Sequence, residues 1–326
     1  MASPAPLADP AFVAEARPRV EAALLDAVRT DDPFLTEVAS HLIKAGGKRV
    51  RPLFAAASGA CGDGTANVTE AAVLGGVSVE LVHLGSLYHD DVIDEAVTRR
   101  TVESVNARWG NLTAILAGDF LLAKASEIAA SLGTEVAGLL AATIGRLCEG
   151  EVGELRSAYD VGRTEDAYLA SIRGKTASLF ATACRIGAIV GGLPRDHVDA
   201  LTTFGDGYGM AFQIVDDVLD LVSTAEALGK PAGHDLVEGV YTLPVLRALA
   251  TDAELKGLLG TPLEDDQLAA ALTLVRSSEG VPAAVAEAQR FVDHAIAALA
   301  PIGERDATAW LAAAARALVT QVDGSS

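Results

Sequence analysis

The chain has 326 residues, half of them apolar and 5% aromatic, with 25 Lys+Arg against 44 Asp+Glu and a net charge of −19. That apolar content, with a mean hydropathy of +0.32, is enough for a large buried core and excludes a disordered chain. An isoelectric point near 4.6 makes nucleic acid a poor partner, because an acidic surface repels phosphodiester backbones.

The opening MASPAPLADPAFVAEARP lacks a basic segment followed by an apolar run, so no secretory signal is expected. Apolar residues then recur at three- and four-residue intervals, predicting helices over 10–29, 33–44, 50–60, 68–91, 104–108, 112–131, 134–157, 165–190, 196–224, 241–250, 266–277, 282–299 and 305–321, and no sheet. Gly46-Gly47, Gly191-Gly192-Leu193-Pro194 and Gly229-Lys230-Pro231 punctuate them, and none is long enough for a linker. The expectation is one all-α domain over 1–326, with about 1–10 and 322–326 frayed. Charges at Glu80, Asp119, Glu135, Arg146 and Arg185 cut the most apolar windows, so no membrane span is expected. Cys61, Cys148 and Cys184 form no C-x-x-C pair and are odd in number, which fits a reducing, cytoplasmic compartment.

Two acidic triplets carry the chemistry. Asp90-Asp91-Val92-Ile93-Asp94 recurs as Asp216-Asp217-Val218-Leu219-Asp220, each at the end of an apolar helix. At about 100° per residue, Asp90 and Asp94 share one helix face, as do Asp216 and Asp220. Like charges there repel, so an apolar helix should avoid them unless a cation compensates, and Mg²⁺ is the cation that one or two carboxylates plus substrate phosphates ordinarily hold. Neither triplet has the 12-residue loop of an EF-hand. One such triplet could be a solvated helix end; two with the same apolar spacing argue for a site. His83 lies two turns before Asp90 on its face, and Gln213 three residues before Asp216.

Cations are scarce and clustered. Lys48-Arg49-Val50-Arg51 follows Gly46-Gly47, and Arg99-Arg100 follows the first triplet. Arginine forks and lysine point charges bind diphosphate oxygens, and glycine lets backbone approach closely. Lys175 beside Thr176, and Lys230, complete the set, while Arg49 and Arg173 read as solvated surface. A cavity acidic in two patches and basic in others suits two diphosphates, one held through metal and one held directly.

The ordered motifs GGKRVRP, ELVHLGSLYHDDVIDEAVTRR, VNARWGN, GKTASLF, FQIVDDVLD and GKPAGHDLVEGVYTLP, from about Gly46 to Leu246, resemble those of the trans-isoprenyl diphosphate synthases, or polyprenyl synthetases. The resemblance implies an all-α bundle of mostly antiparallel helices around a deep central cavity, a homodimer, and about three Mg²⁺ ions per active site. It places Lys48, Arg51, His83 and Arg100 at the isopentenyl diphosphate, and Arg99, Lys175, Thr176, Gln213 and Lys230 at the allylic diphosphate. Asp90, Asp94 and Asp216 match metal ligands; Asp91, Asp217 and Asp220 belong to the same motifs, their contact direct or through water. Two positions depart from the family: Thr101 stands where Gly is frequent, and Val240 where Lys is frequent.

The implied reaction is ionisation of an allylic diphosphate, condensation with isopentenyl diphosphate and loss of a proton. Short-chain members often carry an aromatic residue four or five positions before the first aspartate. Here stand Ser86 and Gly85, with Val82 one turn below Ser86, so the expected product is C20 or longer, a long-chain polyprenyl over geranylgeranyl diphosphate. Contact with a membrane is expected to be peripheral at most, for product release. A class I terpene cyclase would carry an Asn/Ser/Glu-type second motif, and a non-catalytic subunit of a heteromeric synthase would lose an aspartate motif; neither applies to this chain.

Overall fold

The computed structural model describes residues 10–62, 68–223 and 232–323. In chain order the helices are α1 (Ala11–Ala27), α2 (Pro33–Ala39), α3 (His41–Lys44), α4 (Val50–Gly59), α5 (Glu70–Ile93), α6 (Val105–Trp109), α7 (Asn111–Ser131), α8 (Thr134–Leu155) and α9 (Glu165–Ile172). A π-turn over Arg173–Ala177 leads into α10 (Ser178–Val190) and α11 (Arg195–Val222). After the 224–231 segment come α12 (His234–Val237), α13 (Leu243–Leu249), α14 (Ala253–Leu258), α15 (Asp265–Ser277), α16 (Gly280–Ala298) and α17 (Asp306–Asp323).

Local chemistry sets the helix starts. Asp32 accepts from the N–H groups of Phe34 and Leu35 ahead of Pro33, and Thr69, Ser104 and Thr164 cap α5, α6 and α9 through their hydroxyls. The helix expected over 33–44 is instead two short pieces meeting at Ser40, whose hydroxyl donates to the Glu37 carbonyl. The helix expected over 165–190 is interrupted by the π-turn, a bulge that period alone does not reveal.

The all-α expectation holds apart from one hairpin, β1 (Thr98–Arg99) paired antiparallel with β2 (Val102–Glu103). Its tip residues Arg100 and Thr101 both take left-handed backbone, φ 53° and 64°, as a two-residue type I′ turn demands. Without an Asn-Gly pair there, no hairpin signal stands in the sequence.

The core lies where α5, α10 and α11 meet α4, α7 and α16. Phe54, Phe180, Phe204 and Tyr208 cluster there with ring centroids 4.5–6.3 Å apart. Helices α4 and α10 touch backbone to backbone: a Cβ on Gly187 would lie 2.0 Å from the Ala55 carbonyl oxygen. Against expectation, α5 is long and apolar enough by composition to cross a membrane, yet 72% of its most apolar stretch is buried inside the fold. Its apolarity serves the protein interior.

Candidate active site

The first aspartate motif ends α5, and helix period separates its members. Asp91 is fully buried and turned to the hairpin, where Arg99 Nε and Nη2 bind its Oδ1 at 2.7 and 2.6 Å. Asn106 donates to the Asp91 carbonyl at 2.8 Å, tying α6 to the same turn. Asp90 lies within electrostatic reach of Lys175 and Glu151. Burial, with Glu151 and Asp94 close by, pushes its carboxyl up to about 7, against the pull of Lys175 and Arg99. Asp94 stands at the exposed rim, its pKa raised by partial burial and by Glu238.

The second motif is on α11. Asp217 is buried and accepts from Tyr168 Oη at 2.5 Å and from Gln213 Nε2 at 2.8 Å, while the Thr176 hydroxyl donates to Gln213 Oε1 at 2.7 Å. Burial pushes Asp217 up to about 7 although both hydrogen bonds oppose the shift. Asp220 Oδ2 accepts from the Asp235 N–H at 3.2 Å, which pins the start of α12. Asp216 lies on another face, in a crevice shared with Lys48, Leu318 and Gln321. Partial burial lowers the Lys48 pKa and Asp216 opposes that.

These elements enclose a cavity of about 480 Å³. Asp94 from the first motif and Asp217 from the second both line it, with Lys175 and Thr176 of the π-turn, Gln213, and Glu238 beyond α12. Lys175 Nζ sits 2.7 Å from Glu151 Oε2 and 2.6 Å from Glu154 Oε1, and these carboxylates raise its pKa against the opposing effect of burial. Glu151 and Glu154, three apart on α8, carry no motif; their signal in the sequence is an acidic pair at helical spacing in a segment rich in glycine.

The lining is carboxylate-rich, with Lys175 its one lysine or arginine among the described residues. Desolvated carboxylates in such a wall gain most from a hard divalent cation. Among the described residues, no three His, Cys, Asp or Glu side chains stand close enough to hold a metal by themselves. A cation held here would take its remaining ligands from water or a bound anion, the ordinary condition for Mg²⁺.

Arg49, Arg51 and Arg100 gather around Glu80 of α5. Arg51 stacks over Phe180 at 4.4 Å, and burial lowers its pKa. Arg100 Nη1 donates to the carbonyls of Leu42, at 3.2 Å, and Gly46. A Cβ on Gly47 would come within 2.9 Å of Arg100 Nη1, so glycine lets this loop close on the hairpin arginine. His83 is held neutral, its pKa driven well down by burial and by Arg51, Arg100, Arg99 and Arg49.

Arg49 is not solvated surface. Its side chain is fully buried from a left-handed backbone (φ 50°), bound to Glu21 at 2.7 Å, Glu80 at 3.1 Å and the Ile43 carbonyl at 2.8 Å. The exposed Arg173, 3.4 Å from Asp206, fits the surface reading. Below the first motif, Val82 is buried, Ser86 donates to the His83 carbonyl at 2.9 Å, and Gly85 faces α7 at Gly118 and Leu122. None of the three lines the 480 Å³ cavity, and Lys230 lies outside the described residues.

Comparison with known proteins places the chain among relatives of the same fold. The chain is 40% identical over 318 residues to nonaprenyl diphosphate synthase of Mycobacterium tuberculosis, covering 94% of each. It superposes on a decaprenyl diphosphate synthase from Rhodobacter capsulatus with a TM-score of 0.88 and 35% identity, over 95% of this chain and 97% of the other. It also matches a geranylgeranyl pyrophosphate synthase from Corynebacterium glutamicum, solved with calcium and isoprenyl diphosphate, with a TM-score of 0.84 and 38% identity over 98% and 99% of the two chains. The family model described as polyprenyl synthetase matches residues 32–275, which hold both aspartate motifs, the cavity wall and the basic cluster; the chain belongs to the polyprenyl synthetase family.

Proposed function

We propose that this chain is a Mg²⁺-dependent trans-prenyltransferase that adds isopentenyl diphosphate to an allylic diphosphate and makes a product of C20 or longer, a long-chain polyprenyl being favoured over geranylgeranyl diphosphate. The observation that carries the reading is the shared cavity, with Asp94 and Asp217 on its wall beside Lys175. Asp94, on the cavity wall, and Asp90 and Asp216, which lie off it, are the residues we assign to the cations, with Asp217 and Asp220 supporting them. When bound, Mg²⁺ supplies charge stabilisation on the diphosphate as its C–O bond breaks.

This chain's residues do the rest by placement. Lys175, Thr176, Gln213 and Arg99 surround the allylic diphosphate, and Lys175 exchanges its two glutamate partners for phosphate oxygens. Lys48, Arg51, Arg100 and neutral His83 hold isopentenyl diphosphate so that its double bond meets the allylic cation. The cation and alkene form one C–C bond, and the released diphosphate takes the proton that restores a double bond. Val240, on the cavity wall, brings no charge to the diphosphate where the family frequently has lysine. A homodimer in the cytoplasm, touching membrane only to release product, completes the proposal.

Long-chain product is favoured because Ser86 and Gly85 put no ring beneath Asp90. The relatives support this in part, since two are named for nonaprenyl and decaprenyl products and one for geranylgeranyl. Purified chain with Mg²⁺, isopentenyl diphosphate and each allylic primer from C5 to C20, followed by sizing of the dephosphorylated products, tests it. Products that stop at C20 overturn the long-chain preference; no elongation from any primer overturns the activity.

A further inference from the structure

We propose that Tyr168 is a positioning residue for the second aspartate motif, acting through Asp217. The inference deepens the proposed function and rests on the assignment of that motif to cation and diphosphate binding. Tyr168 is on α9, 49 residues before Asp217, and carries no motif signal of its own. Its ring is buried, 1% exposed, and its hydroxyl donates to Asp217 Oδ2 at 2.5 Å.

The surrounding bonds give this contact a direction. The Thr176 hydroxyl donates to Gln213 Oε1, which turns the Gln213 amide nitrogen toward Asp217 Oδ1. Gln213 and Tyr168 thus approach the two oxygens of one carboxylate from different elements, fixing both its rotation and its depth. Each oxygen keeps a second lone pair for the cavity side. Beneath the tyrosine, the Arg163 guanidinium lies 5.5 Å from the ring and donates to the Tyr241 carbonyl at 3.2 Å, between the cavity-lining Val240 and Thr242. Tyr168 therefore joins three parts of the wall: α11, the π-turn through Gln213 and Thr176, and the 240–242 segment. A buried tyrosine hydroxyl needs a partner, but any backbone carbonyl would serve; here the partner is a motif carboxylate.

The test compares wild type, Tyr168→Phe, Asp217→Asn and the double variant. Mn²⁺ binding is titrated in the presence of inorganic diphosphate, with no turnover, and KM is measured for each substrate. Phenylalanine keeps the ring and its contact with Arg163, so the melting temperature should stay within a few degrees of wild type. Tyr168→Phe should weaken Mn²⁺ binding about tenfold, equivalent to about 1.4 kcal/mol, and raise KM for the allylic diphosphate while leaving KM for isopentenyl diphosphate within twofold. In the Asp217→Asn background the same change should add less than twofold. Equal losses in both backgrounds, or wild-type Mn²⁺ binding by Tyr168→Phe, overturn the positioning role while the motif assignment stands. Wild-type binding by Asp217→Asn overturns the assignment of Asp217 and the inference with it. Should Tyr168→Phe fail to fold, Gln213→Leu removes the opposing bond to the same carboxylate and should show the same non-additivity with Asp217→Asn; additive losses overturn the network.

Discussion

Replacing Arg49 with methionine should be among the most destabilising single changes in the chain. Arg49 places four hydrogen bonds on Glu21, Glu80 and the Ile43 carbonyl, from a side chain that is 0% exposed. The partners differ in what happens when the guanidinium leaves. Glu21 is 39% exposed and can hydrate; Glu80, at 3%, cannot. Removing one member of a buried ion pair costs about 3–5 kcal/mol, because the other is left charged without compensation. The left-handed backbone at position 49 is equally strained for Met and Arg, so it cancels in the difference. Urea denaturation of Arg49→Met should show that loss. Arg49→Met/Glu80→Gln, which also removes the stranded charge, should recover about 1–2 kcal/mol of it. A loss below about 0.5 kcal/mol is the behaviour of a surface arginine. That result, or a double variant no more stable than the single, would refute the buried-ion account.

Gly187→Ala should destabilise by about 1–3 kcal/mol or more in the same assay, since its Cβ would sit 2.0 Å from the Ala55 oxygen and only backbone movement relieves that. Ser86→Phe should shorten the product, read by chromatography of dephosphorylated chains; an unchanged distribution would place the floor elsewhere. Asp90 and Asp217 titrate near 7 in the fold against an ordinary 3.8, so the metal-free fold loses stability as pH rises from about 4 to about 7 and keeps it below. A divalent cation offsets the charge that causes this loss. Mg²⁺ should therefore raise the melting temperature more at about pH 8 than at about pH 5.5, and an equal rise at both would count against these carboxylates as its partners.

Helix period carried the first-motif geometry far: Asp90 and Asp94 share a face and Asp91 takes the other, where Arg99 holds it. The same period on α11 left open which residue Gln213 serves; the bond is to Asp217, four residues on, and not to Asp216. What stayed hidden depends on contacts between distant elements. Tyr168 matters through α11, and Arg49 is buried because α1 and α5 each bring a glutamate to it, which no local window shows. The hairpin escaped because Arg100 and Thr101 adopt backbone that propensity assigns to Asn and Gly. Charges counted along α5 suggested interruption, whereas Glu80 is neutralised by Arg49 inside the core.

On the proposed function, both aspartate motifs grip one allylic diphosphate through shared divalent cations. A crystal structure with Mn²⁺ and a non-ionisable allylic thiolodiphosphate tests it most directly. Anomalous peaks are expected within coordination distance of Asp90 or Asp94 and, around the same diphosphate, of Asp216. Metal confined to one motif, or a diphosphate bound away from the cavity beside Lys175, would contradict it.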